Sequence, residues 1–410
     1  MRKFSGVAAN EERNDWNQII KREAPIYNRD DDIRSEFARD YTRVLHSLAY
    51  RRLKHKTKVF FNAAGNDHVC TRIEHVMHVE SVSNTIAKYL GLNEELTKAI
   101  AVSHDLGHAP FGHQGETVLN EISTKYLKKK FWHEKNGLYF VDNIELLEDN
   151  QSYLRNLNLT YAVRDGIVSH CGELDQNAIK PRKDRFDLYT LQKAGQEQAS
   201  TWEGCVVKLA DKIAYLGRDI EDAIRLNYLN ENQQKELQEM ARLCNKEAMN
   251  TTVIMHNMII DLCENSTPDD GLCLSDNMQV QLTEIKRFNY ENIYHNKRLD
   301  PYKKYSELIL TQIFEVLINH YRGANTLEYL LEIDFDKREF VKDFALWLMQ
   351  YCENDFSDGL RILKPTLSPF NKKIYGDLSK EEVYIQAVID FIAGMTDNYA
   401  YNCFEELLGC

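Results

Sequence analysis

Residues 1 to 35 are polar and charged, with few apolar positions in any regular spacing, and read as an N-terminal arm. From about residue 36 apolar side chains recur at alternating intervals of three and four, the rhythm of helices with one buried stripe. Between Thr71 and Leu90 that stripe holds His75, Val79, Val82, Ile86 and Leu90, and Gly91 predicts a left-handed C-cap. Asn93 then serves as an N-cap followed by Glu94 and Glu95, so Leu96, Ile100 and His104 share the inner face of the next helix. Gly107 and Pro110 interrupt the pattern, and Leu106 to Gly115 is expected to be a loop leaving a buried helix end. A long amphipathic helix is predicted from Glu203 to about Leu226, with Val206, Leu209, Ile213, Leu216, Ile220 and Ile224 inward. Asp211, Lys212, Tyr215 and Asp219 form its second, polar face. Turn signals at NSTPDDG (residues 265 to 271) and LKPTLSPF (363 to 370) separate further helical segments. The expectation is an all-α protein, with a multi-helix core over 36–230 and a helical C-terminal region over 231–410 packed on it.

Composition agrees with long helices joined by short turns: 410 residues contain only 7 prolines and 18 glycines, beside 22 tyrosines and 17 phenylalanines. The N-terminus lacks the apolar run of a signal peptide, and the longest uncharged segment, AMNTTVIMHNMII, falls short of the ~20 residues that span a bilayer. A soluble, cytoplasmic protein without membrane partners is expected. Nine cysteines without a CxxC pair argue against both a disulfide framework and a sulfur-held zinc cage. A net charge of −12 excludes a general nucleic-acid coat, although RRLKHKTK (51 to 58), KYLKKK (125 to 130) and KPRKDR (180 to 185) are local basic runs. Each reads first as solvated surface and second as a phosphate or weak single-stranded nucleic-acid contact.

The densest chemistry is SHDLGHAPFGHQGE, residues 103 to 116, with three histidines and two carboxylates. Any one of these histidines alone reads as a core residue bonded to a carbonyl. Together they ask for a site, and His104 beside Asp105 forms a compact mixed nitrogen and oxygen ligand pair for a divalent metal.

A histidine on one helix, His-Asp at the end of the next and an aspartate on a distant helix resemble the HD metal-dependent phosphohydrolase superfamily. TRIEHVMHVESVSNTIAKYLGLNEELTKAIAVSHDLGHAPFGHQGE and WEGCVVKLADKIAYLGRDIEDAI look like the deoxynucleoside triphosphate triphosphohydrolases, including dGTPases and the SAM-and-HD-domain enzymes. RDYTRVLHSLAYRRL and FIAGMTDNYA are similar to the same group, so the resemblance spans roughly residues 36 to 405. It implies an HD-domain core and hydrolysis of dGTP or several dNTPs to deoxynucleoside and tripolyphosphate. The implied metal ligands are His75, His104, Asp105 and Asp211, for Mn, Mg, Fe, Ni or Zn, with Mn or Mg preferred. His108, Glu116 and His133 match the catalytic histidine, its supporting carboxylate and a second histidine. Arg72, His113 and Lys212 correspond to phosphate contacts, and Tyr215 and Asp219 to contacts with the sugar. The family also implies a homo-oligomer regulated by an effector dNTP. In WHEKNGLYF, Lys135 and Gly137 depart from the residues many relatives carry. His78 reads as structural, and His170 is unassigned. The competing readings are an HD phosphohydrolase acting on another nucleotide and a non-catalytic nucleotide sensor.

Overall fold

Asn93 shows how the chain folds locally: its side-chain oxygen accepts the Leu96 N–H at 3.0 Å and starts the helix Glu94–Ser103. The preceding helix, Arg72–Leu90, opens with the Thr71 N–H donating to Glu74 at 2.7 Å and closes at Gly91 with φ of +87°. These boundaries follow from cap chemistry visible in the sequence. The structure is a computed structural model that describes residues 2–25, 31–60, 69–149, 152–171, 177–242, 251–333, 338–353 and 371–409. The segment LKPTLSPF lies outside the described residues. Among those residues the chain forms 17 α-helices and one antiparallel pair of two-residue strands, Leu147–Glu148 with Leu154–Arg155. The protein is all-α.

Three helices carry the candidate site and pack against one another: Arg72–Leu90, Glu94–Ser103 and Trp202–Arg225. Thr201 caps the third, accepting the Gly204 N–H at 3.2 Å. Its predicted stripe is buried except at Ile224, in the last turn, which is exposed. In the first helix the buried stripe drifts, so Ser83 is buried where Val82 is only half-buried, as 3.6 residues per turn requires.

The expected loop from Leu106 to Gly115 is shorter than predicted, because a helix resumes at Gly112 and runs to Leu127. Its glycines answer to crowding. A Cβ on Gly115 would stand 1.8 Å from the Pro110 carbonyl oxygen, and one on Gly107 would stand 2.0 Å from the His133 oxygen and 2.1 Å from the Gly137 nitrogen. Gly115 therefore sits inside a helix, despite its usual penalty there, because no side chain fits.

Two apolar cores interleave along the sequence. One joins the N-terminal stretch, through Phe4, Ala9 and Ile19, to the three site helices and to the helices Thr251–Asn265 and Asp276–Asn289. The other joins Phe111, Leu119 and Phe140 to the C-terminal helices Asp300–Ile318, Glu339–Leu348 and Glu381–Ala393. The loop that carries His104 to Phe111 runs along their seam. It is fastened there by buried Lys56, whose ammonium donates to the His108 carbonyl and, at 3.0 Å, to the Ala393 carbonyl. Asp397 completes the fastening by accepting the Thr57 N–H at 2.8 Å and the Phe111 N–H at 2.7 Å. No helix among the described residues is long and apolar enough to cross a membrane.

Candidate metal and catalytic site

His104 caps the C-terminal end of its helix and is fully buried. Its Nδ1–H donates to the Ala101 carbonyl at 2.7 Å, which fixes the tautomer and leaves Nε2 as a bare acceptor without a partner. A buried imidazole lone pair left open in this way fits a cation. His75 Nε2 lies 3.0 Å from Asp211 Oδ1 and 3.9 Å from Asp105 Oδ2, while His104 Nε2 lies 4.0 Å from Asp211 and 3.6 Å from Asp105 Oδ1. Two imidazoles and two carboxylates thus face one point, a donor set suited to a divalent ion. His75, His104 and Asp211 form the tighter triplet. Asp105 stands beside it, with Oδ2 accepting Arg72 Nη1 at 2.8 Å and Oδ1 at 3.1 Å from His108 Nδ1. Burial opposes the charge on Asp105, but His108, Arg72 and His104 overcome it and hold the carboxyl well below its usual range. Burial likewise opposes the charge on Asp211, and His75 with His104 holds it ionised. Burial and Lys58 keep His75 neutral.

Beyond the ligands, His108 and His133 stack with ring centroids 3.8 Å apart. His133 is gripped by Glu116, which accepts its backbone N–H at 2.9 Å and lies 3.1 Å from Nδ1. Their surroundings push the two rings in opposite directions. Burial, then Arg72, pushes His108 well below the usual imidazole range. Burial also works against charge on His133, but Glu134 and Glu116 together overcome it and raise the group well above that range. Glu116 stays ionised against burial because His133 and His113 face it. His113 lies at the mouth, its side chain 68% exposed and its Nδ1 3.2 Å from Glu116. Arg72 is buried, and its Nε and Nη2 have no hydrogen-bond partner, so two of its donor nitrogens remain to be spent.

Asp219 is buried further along the long helix, with Tyr294 donating to Oδ2 at 2.6 Å and Lys58 at 2.6 Å from Oδ1. Half-buried Tyr215 adjoins Tyr294, and Lys212 and Tyr215 edge a recess walled by Leu209, Leu216, Leu262 and Leu272. His75, His104, Asp105, Asp211, Arg72, His108, Glu116 and His133 thus form one buried cluster with exposed His113 at its edge, while Lys212, Tyr215 and Asp219 lie on the helix that carries Asp211. His78 lies outside the cluster, 3.2 Å from Arg218. Lys135 also points away, donating to the Leu191 carbonyl at 2.8 Å, and Gly137 supplies the close backbone passage beside Gly107, so the departures in WHEKNGLYF leave the His133 contacts intact.

Several neighbours carried no signal in the sequence. Lys58 and Lys56 read as members of a surface basic run, yet both are buried; Tyr294 reads as one tyrosine among many. Of the other runs, Arg182 and Arg185 are tied to Asp165 and Asp15, whereas 125–130 keeps its lysines exposed. His170, unassigned from sequence, stands 4.9 Å from the His104 ring, its Nδ1–H on the Ile167 carbonyl at 2.7 Å and its Nε2 unpartnered.

Comparison with known proteins places this cleft in a family. The HD domain model matches residues 72–216, a span that contains all four candidate ligands. A deoxyguanosinetriphosphate triphosphohydrolase-like protein of Desulfatibacillum aliphaticivorans is 38% identical over 297 residues, covering 70% of this chain and 75% of that protein. A protein of the same description from Caldanaerobacter subterraneus subsp. tengcongensis is 33% identical over 377 residues, 92% of this chain and 86% of its own. A third, from Clostridium tetani, is 30% identical over 380 residues with 86% of it covered. The chain is an HD-domain hydrolase and belongs to the deoxyguanosinetriphosphate triphosphohydrolase-like family.

Proposed function

We propose that the protein hydrolyses dGTP or several dNTPs at the α-phosphorus, releasing deoxynucleoside and tripolyphosphate. The observation that carries this reading is the His108 and His133 rings, with centroids 3.8 Å apart and Glu116 against His133, beside a four-donor cation pocket. His75, His104, Asp105 and Asp211 would hold the ion, and Mn or Mg suits their mixed nitrogen and oxygen donors. When bound, such an ion polarises a phosphoryl oxygen and makes hydroxide accessible near neutral pH.

The protein's own groups supply the rest. Neutral His108 accepts the proton of the attacking water as its oxygen joins phosphorus. His133, charged and oriented by Glu116, gives a proton to the 5′-oxygen as the phosphorus–oxygen bond to the nucleoside breaks. Arg72 meets the phosphate chain with its unspent donors, Lys212 and His113 add positive charge and hydrogen bonds along it, and Tyr215 with Asp219 reads the sugar. Regulation by an effector dNTP in a homo-oligomer belongs to the same reading. Of the two runs suited to an effector's phosphates, 125–130 alone presents all its lysines to solvent, since Lys56 and Lys58 are spent internally.

Hydrolysis in heavy-oxygen water tests the central claim. Label should enter tripolyphosphate and none should enter the nucleoside; pyrophosphate or orthophosphate as the first product would overturn it.

A further inference from the structure

The helix Tyr161–Ser169 ends on His170 and Cys171, and the reaction above uses neither. Their surroundings are nonetheless those of a binding site. His170 is 2% exposed, and its Nε2 lone pair has no partner. Glu134 is 1% exposed, and its Oε2 is also without a hydrogen-bond partner, 3.5 Å from His133 Nδ1. The Cys171 thiol lies beside His133 and Glu134. The His133 and His170 rings lie 5.4 Å apart, and the donor atoms of His133, His170 and Cys171 all fall within 4.8 Å of one another.

His170 Nε2 and Glu134 Oε2 are thus buried acceptors without a hydrogen bond, which disfavours leaving them empty. A cation between them would satisfy both at once. The donor set also differs in kind from the four residues around His75: two imidazoles and a sulfur, with a carboxylate beside them, favour a thiophilic borderline ion such as zinc over magnesium or manganese.

We propose that His133, His170 and Cys171, with Glu134 alongside, form a second divalent-cation site selective for zinc, and that its occupancy inhibits the enzyme. Coordination releases two protons to solvent, one from the Cys171 thiol and one from the charged His133 ring, and involves no redox change. Once deprotonated and bound to the ion, His133 can no longer give the proton that the proposed reaction asks of it. The binding claim stands on geometry alone; the inhibition rests on the role given to His133 in the proposed function.

Cobalt(II) is the probe, because a thiolate ligand gives it a near-ultraviolet charge-transfer band that nitrogen and oxygen ligands do not. Titrating the full-length protein with cobalt should develop that band. Cys171→Ser should abolish it and His170→Ala should weaken it strongly, while the visible ligand-field absorption of cobalt at the His75 site persists in both. No band in folded wild-type protein under excess cobalt, or a band of equal strength in Cys171→Ser, would overturn the site. In a dGTP assay supplied with manganese, zinc should inhibit the wild type, and Cys171→Ser should need at least about tenfold more zinc for the same inhibition, since even outer-sphere changes shift metal affinity by 10- to 100-fold. A band without zinc inhibition would overturn the inhibitory role and keep the site. A band in a protein that hydrolyses no dNTP would overturn the proposed function and keep the site.

Discussion

Replacing Gly107 with alanine perturbs the cleft without removing any chemical group from it. The new Cβ would stand 2.0 Å from the His133 carbonyl oxygen and 2.1 Å from the Gly137 nitrogen. A non-bonded pair rests at about 3.5 Å, so the strand of backbone carrying His133 must retreat by about 1.5 Å, or the His104 loop must move by as much. Asn136 holds the two together by donating to the Gly107 carbonyl at 2.7 Å, so neither side is free to yield alone. His133 Nδ1 now sits 3.1 Å from Glu116, and a shift of that size takes the contact out of hydrogen-bond range. Misplacing catalytic groups by about 1 Å can lower rate about 100-fold. Overpacking of this kind destabilises by about 1 to 3 kcal/mol, short of unfolding a typical domain. The expected result for Gly107→Ala is a folded protein with kcat/KM for dGTP reduced about 100-fold. Gly6→Ala, where nothing lies within 4 Å of the added Cβ, should behave as wild type. Wild-type kcat/KM in a folded Gly107→Ala protein would refute the claim that this passage sets the position of His133.

Asp105→Ala should abolish bound metal and turnover together, read by elemental analysis and the dGTP assay. Glu116→Gln should be pH-dependent in a defined sense. The raised His133 stabilises the fold below its unfolded value of about 6.5 and loses that contribution as pH rises through its folded value; the depressed Glu116 contributes above about 4.5 and loses it as pH falls. Denaturant unfolding should therefore show the loss in Glu116→Gln to be largest between about pH 4.5 and 6.5 and to shrink toward alkaline pH; a loss constant with pH would refute the pairing. Asp219→Asn leaves buried Lys58 without its counter-charge and should destabilise by about 3 to 5 kcal/mol, against an unchanged melting temperature if the ion pair is idle. Tyr215→Ala should narrow the preference for dGTP over GTP, and equal wild-type rates on the two would remove the sugar reading.

What the sequence discloses is what local periodicity and caps encode. His75 and His104 could be placed facing inward because each shares a stripe with Val79 or Ile100, and Asp211 because its helix has a readable apolar face. Gly107 and Pro110 mark the break between helices but not where the next one starts, and the glycine at 115 sits inside it because of the Pro110 carbonyl, a contact that appears only in three dimensions. Lys56 and Lys58 were illegible for a similar reason. A basic run in a sequence looks solvated, and the acceptors that draw Lys56 inward include a carbonyl 337 positions away. His170 lacked a role because its meaning depends on the direction of one lone pair.

The fastening of the His108 loop by Lys56 and Asp397 bears on modularity. Two of its acceptors, the His108 and Ala393 carbonyls, are backbone groups, so the fastening depends on the main-chain path at position 393, where the buried Ala393 side chain is itself part of the second core. A chain cut after residue 230 would strand Lys56 on one carbonyl, orphan the Thr57 and Phe111 N–H groups, and bare the apolar side chains of Phe111, Leu119 and Phe140. The segment matched by the HD model, 72–216, contains neither Lys56 nor Asp397, so on its own it lacks both ends of this fastening. Recombination that exchanged the C-terminal helices would have to carry the main-chain geometry at Ala393 and the carboxylate of Asp397 along with them to keep the His108 loop fastened.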